Sequence, residues 1–236
     1  DNEPHRWVTV THRWQADFRP SLFGVIRYVR QEESPSISGW MRYPSEIVHL
    51  LYSELVASQG SGLGASTSRS GEPLSFKGNA LYFLSLFDTP PPLIEPDGQP
   101  GVPSMMGTLY FPNKKLRDAA LAVGLSKLAM VWWFLTSDNL NVTKGTIESI
   151  PVNLQKMNDS TVEGLAKIGA RIRKRLPNVI ETSVYRQRTV GRYAIPKLRE
   201  LTDEGDRILA KALGYQGQLA DLELAHAWAF KGTDED

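Results

Sequence analysis

The chain predicts an α+β fold: a mixed or mostly antiparallel sheet packed on a long apolar helix, followed by a helical C-terminal region. Three observations predict it. Short β-branched and aromatic runs are scattered up to Phe111. An apolar stretch of helix length runs from Asn113 to Thr136. From Ser160 onward the periodicity is helical and arginine-rich. This order places a boundary near residue 155, with an α+β domain over 1–155 and a basic helical region over 156–236 packed on it.

The elements follow in turn. Trp7 to Thr11 alternates and is β-branched, which predicts a strand, and Phe23 to Val29 is a second candidate. Pro44 opens a helix with Ser45 and Glu46 in its first turn. Its apolar face is Ile47, Leu50, Leu51, Leu55 and Val56, and it ends near Gln59. Gly60 to Gly71 has the composition of a flexible loop. Ala80 to Phe87 is a strongly apolar strand, Thr89 to Pro103 a Pro-rich turn, and Gly107 to Phe111 another strand. Asn113 is placed to cap the long helix, and Gly124 within it marks close packing, since glycine there costs about 1 kcal/mol relative to alanine. Ile147 to Leu154 leads away through Pro151. Thr161 to Leu176 is a helix stopped by Pro177. Thr202 to Leu213 is another, with Gly214 at its C-cap, and Gln218 to Phe230 is the last.

Composition narrows the chemistry. The 236 residues are 41% hydrophobic and 22% charged, enough to bury a core. With no cysteine there is no disulfide framework, thiol catalysis or usual zinc site, which fits a reducing cytoplasm. Asp1 without an initiator methionine predicts a processed or truncated piece. Leu116 to Leu135 is broken by Arg117, Asp118 and Lys127, so it reads as a buried core helix rather than a membrane span. The histidines at 5, 12, 49 and 226 lack metal-binding spacing, and no catalytic residue or metal ligand is assigned. The glycines of Gly60 to Gly71 follow a helix rather than a strand, which argues against a phosphate-binding turn. Asp97 sits in a P-D-G turn that explains it fully.

The net charge of +1 does not announce a polyanion, so any nucleic-acid case rests on local patterning. Three features carry one. Arg171, Arg173, Lys174, Arg175, Arg186, Arg188 and Arg192, with Lys197 and Arg199, form a basic segment that can neutralise phosphates; the alternative is a solvated helix face. Asn139, Asn141, Thr143 and Lys144 share a loop and have base-reading side chains; the alternative is a capped turn before Ile147. Trp132, Trp133 and Phe134 are adjacent on a helix. They are not expected all to face the core, although core packing is the default for at least two.

A larger pattern joins these pieces. Tyr82-Phe83, Pro91 and Ser104 precede the strand Leu109-Tyr110-Phe111 and the helix ending at Trp132-Trp133. Ser137-Asp138-Asn139-Leu140-Asn141 follows, with Lys144, Ile147, Ile150 and Pro151 in register, and later Asp203 to Ala210 and Gly214-Tyr215. Over residues 78–230 this order and spacing resembles the C-terminal target-recognition (specificity) domain of bacterial N6-adenine DNA methyltransferases, including type IIG-like restriction–modification enzymes. Gly124-Leu125-Ser126 stands where that family carries an L-N-S triplet, and Ala227-Trp228 where it carries a tyrosine–aspartate pair. The family's N/D-P-P-Y/F tetrapeptide, which holds a flipped adenine, has only Thr89-Pro90-Pro91-Pro92 as a counterpart, and the glycine-rich S-adenosylmethionine loop has none.

The resemblance therefore implies a DNA-reading part that positions double-stranded DNA for a methyltransferase domain in the same or another chain. S-adenosylmethionine would belong to that catalytic domain, and no cofactor to this chain. A protein-interaction module of a bacterial defence complex, working through its tryptophans, is the rival reading. An enzyme with an unrecognised site is a third.

Overall fold

A computed structural model of the chain describes residues 6–9, 28–31, 45–80, 84–138 and 140–230. Most of the Phe23–Val29 strand, and Tyr82, Phe83 and Asn139, lie outside these residues.

β1 (Arg6–Val8) pairs antiparallel with β2 (Val29–Gln31). α1 (Glu46–Gln59) follows, capped by Ser45, whose Oγ accepts the Val48 N–H at 3.3 Å. Its buried stripe is Val48, Leu51, Tyr52, Leu55 and Val56, while Ile47 and Leu50 are exposed. The buried face is thus rotated by one residue from the expected one. The stripe turns on Tyr52, an amphipathic side chain whose hydroxyl finds a buried acceptor, the Leu128 carbonyl at 2.7 Å.

Gly60 to Gly71 is not a featureless loop. Residues Gly62–Ser66 form a 3₁₀ turn that buries Leu63, and the Leu63 N–H donates to the Ile150 carbonyl at 2.9 Å. β3 (Glu72–Lys77) comes next and is the centre of a three-stranded antiparallel sheet, between β4 (Leu86–Phe87) and β6 (Met106–Phe111). Sequence reasoning misses β3 because Pro73 argues against a central strand; it is tolerated here one residue from the strand's start. The strand expected over Ala80–Phe87 is reduced, among described residues, to β4. The Pro-rich turn holds β5 (Leu93–Ile94).

The long helix exists but is broken. α2 (Lys114–Gly124) and α3 (Lys127–Thr136) meet at a bend of 64°. Asn113 caps α2 as expected, accepting the Leu116 N–H at 3.0 Å. The break falls at Ser126, whose Oγ donates to the Val123 carbonyl at 2.6 Å and accepts the Ala129 N–H at 3.1 Å. One hydroxyl thus closes α2 and opens α3. Gly124 is indeed a packing glycine: a Cβ there would lie 2.5 Å from Leu86 Cδ2. Among the described residues no single helix is long and apolar enough to cross a membrane.

α4 (Lys144–Glu148) precedes α5 (Asp159–Arg175), which Asn158 caps. α5 packs along α2 so closely that a Cβ on Gly169 would come within 1.8 Å of the Asp118 carbonyl oxygen. The region after 156 is not purely helical. β7 (Ile180–Tyr185) and β8 (Arg188–Tyr193) form a hairpin, and β5 pairs with β8 in a sheet ordered β5-β8-β7. α6 (Arg199–Leu213) ends on Gly214 in the left-handed conformation (φ 80°), as its sequence predicts, and α7 (Leu219–Phe230) follows. The class is α+β, with small antiparallel sheets set around a helical core. That core is one continuous cluster, with Phe76, Phe111 and Trp133 before residue 155 joined to Leu165, Leu201 and Leu222 after it.

Candidate nucleic-acid interface

The loop after α3 is built on Asp138. Its Oδ1 accepts the N–H groups of Leu140 (3.0 Å) and Asn141 (2.7 Å), and its Oδ2 accepts the Asn141 side-chain amide. These hydrogen bonds, the Asn141 N–H foremost, hold the carboxyl below the usual carboxylate range. The Asn141 carbonyl accepts Trp133 Nε1 at 3.0 Å, and Asn141 bridges to Asn79. Thr143 caps α4 in a reciprocal capping box with Thr146. The Asn141 amide and the Thr143 hydroxyl are therefore engaged in building the loop. Lys144 presents an exposed ammonium 3.6 Å from Glu148.

Trp132 and Trp133 are both buried, and Phe134 is partly buried against the same core. All three fit because α3 is covered on several sides. Trp132 stacks on Tyr52 at 5.6 Å and donates to Ser149 Oγ at 3.0 Å, while Trp133 reaches Asn141 on the loop side. The tryptophans of α3 thus offer no surface to a partner.

The basic segment is exposed but largely paired. Arg171 meets Glu204 at 2.7 Å, Arg175 meets Glu200 at 3.6 Å, Arg188 meets Glu95 at 2.7 Å, and Arg192 and Lys197 share Glu181 at 3.0 and 2.9 Å. The last pair holds the Glu181 carboxyl below its ordinary range, Lys197 most strongly. Arg173 differs in kind. It lies 3.4 Å from Asp118, which is itself held by the buried Arg117, and Arg117 also donates to Glu72 at 2.8 Å. Arg173 is thereby tied into the α2–α5 contact. Lys174 and Arg186 have no carboxylate partner among the described residues.

The β7–β8 hairpin, absent from the sequence reading, carries Arg186 at its turn. Arg186 and Gln187 both have positive φ, 49° and 63°, the signature of a type I′ turn. The Arg186 guanidinium lies 5.2 Å from the centre of the Tyr185 ring. Val184 and Tyr185 are 76% and 61% exposed, unusual for apolar side chains in a strand. A hairpin turn is normally flagged by Asn-Gly or Asp-Gly. Arg-Gln gives no such signal, so the sequence does not announce that the strands on either side pair.

A buried ionic group ties α3 to α6 and α7. Lys127 Nζ lies 2.5 Å from Asp203, 3.3 Å from Asp206 and 3.2 Å from Glu223. Burial opposes the charge on Lys127, but the Asp203 hydrogen bond and the Asp206 and Asp203 charges outweigh it and raise its pKa. Burial pushes the Asp206 carboxyl up to about 6 against the pull of Lys127. Burial together with the Lys127 and Arg199 charges pushes His226 down to about 4. This group joins three helices. Among the described residues no cluster of three or more His, Asp or Glu side chains could hold a metal ion.

Comparison with known proteins finds no matching family model, no matching curated protein and no matching solved structure.

Proposed function

We propose that this chain is the DNA-recognition part of an adenine-specific DNA methyltransferase of a restriction–modification system. It positions double-stranded DNA for a catalytic domain that supplies S-adenosylmethionine and flips the adenine. The observation that carries the reading is the state of the basic segment. Arg171, Arg175, Arg188, Arg192 and Lys197 all remain exposed, and of their carboxylate partners Glu200 and Glu204 are exposed while Glu95 and Glu181 are half-buried. Exposed ion pairs of this kind contribute only about 0–1 kcal/mol each. A phosphate therefore displaces Glu200, Glu204 or Glu95 at little cost, and the pairs hold the arginines extended until DNA arrives. Arg173 is outside this set because its contact with Asp118 is structural.

The test is binding to duplex DNA across a salt series, comparing wild type with Arg175→Glu combined with Arg188→Glu. The expected result is affinity that falls steeply with salt, and a shallower slope in the variant, by about one for each phosphate it no longer neutralises. A variant with unchanged affinity and slope removes the segment from the interface.

A further inference from the structure

We propose that the β7–β8 turn, Tyr185–Arg188, enters the major groove and reads base edges through Arg186 and Gln187. This rests on the DNA-recognition reading and adds to it the groove, the element and the residues.

The mounting is firm at the base and free at the tip. At the base, the Gly191 N–H donates to the Pro92 carbonyl at 2.7 Å and the Tyr193 hydroxyl to the Thr89 carbonyl at 2.8 Å, while the Tyr193 and Phe87 rings sit 5.5 Å apart. β5 braces β8 as far as Thr189. Past Thr189 only the Tyr185–Arg188 pair and the Arg186–Gln187 turn stand clear of β5, and every residue from Thr182 to Arg188 is exposed. The major groove is about 12 Å wide, which admits a two-stranded tip of this kind.

The residues at the tip are a costly choice for the turn alone. Both central positions have positive φ, where Asn-Gly is favoured and long side chains are strained. The turn instead carries an arginine and a glutamine, the types that pair with guanine and adenine edges. Val184 and Tyr185 supply exposed apolar surface of the kind that meets a thymine methyl.

The experiment selects duplexes from a randomised library at low salt, with the full chain, in parallel for wild type and for Arg186→Asn combined with Gln187→Gly. That pair of changes installs the residues a type I′ turn prefers, so loss of fold does not confuse the result. The expected outcome is a variant at least as thermally stable as wild type, still retaining duplex DNA, whose discrimination falls about tenfold or more at one or two base positions. A variant that enriches the same motif with the same discrimination, or a wild type that retains duplex but enriches no motif, overturns the assignment to the turn and leaves DNA binding standing. A wild type that retains no duplex overturns both, and points to a protein partner instead.

Discussion

The backbone N–H of Lys127, at the start of α3, donates to Oδ1 of Asp206 on α6 at 3.0 Å, across 79 residues of sequence. The same carboxylate sits 3.3 Å from the Lys127 ammonium. One side chain therefore satisfies an orphan helix donor and a buried cation together. Its neighbours on the packed helices are Asp203 and Arg199 of α6, and Glu223 and His226 of α7.

This arrangement predicts a compensated pH response. The Asp206 pKa rises from 3.8 to about 6 on folding, so by itself it makes stability fall as pH increases through that window. The His226 pKa drops from 6.5 to about 4, so by itself it makes stability rise as pH increases through nearly the same window. Near pH 5 the folded protein holds the proton on Asp206 and the unfolded chain holds it on His226, and the two slopes offset. Relative to wild type, Asp206→Asn leaves the histidine contribution and steepens the gain of stability with pH. His226→Gln leaves the aspartate contribution and gives a loss with pH. Each difference approaches about 1.4 kcal/mol per pH unit, measured by chemical denaturation from pH 4 to 6.5. Variants whose profiles run parallel to wild type would rule the exchange out.

Gly169→Ala destabilises the protein. The new Cβ falls 1.8 Å from a backbone oxygen of α2, which no side-chain rotation relieves, and α5 must move away at a cost of roughly 1–3 kcal/mol or more. Gly205→Ala is the control. Its nearest neighbour, Ile168 Cγ2, is 3.7 Å away, so the gain in helix propensity dominates and stability rises by up to about 1 kcal/mol. Thermal melts of the two variants should move in opposite directions.

Tyr52→Phe costs about 1 kcal/mol, the net worth of its buried hydrogen bond to the Leu128 carbonyl. Tyr52→Ala also removes the contact with Trp132 and costs about 3–5 kcal/mol. Equal denaturation midpoints for these two variants would show that the ring contributes nothing beyond its hydroxyl.

In the loop after α3, Thr143→Ala removes a helix cap and costs about 1 kcal/mol. Lys144→Ala removes an exposed i,i+4 pair and costs about 0.5 kcal/mol or less. If Lys144 meets a phosphate, duplex affinity instead falls in the lysine variant and the salt slope drops by about one. Stability and binding measured on the same two variants thus separate the architecture of the loop from its proposed role on DNA.

Local signals are legible where one residue type has one strong reason to be where it is. Asn113 as a cap, Gly124 as a packing position and Gly214 as a left-handed terminus can all be read from the chain. What escapes depends on distant partners. Ser126 breaks a run that looks continuous because its hydroxyl serves both flanking helices. Tyr52 joins the buried face only because Leu128 offers an acceptor. β7 and β8 pair across a turn whose residues are atypical for it. The arginines are legible as a cluster, but the carboxylates that meet them come from the turn after β5, from β7 and from α6, and no spacing rule reports that.

α3 is enclosed by segments from both ends of the chain: Tyr52 of α1 lies on Trp132, while Asp206 of α6 and Glu223 of α7 close over its first turn. During synthesis α3 leaves the ribosome before residues 203–223 exist to close over its first turn. The nascent chain therefore carries a partly uncovered helix until α6 and α7 are made, a species prone to self-association and suited to chaperone capture.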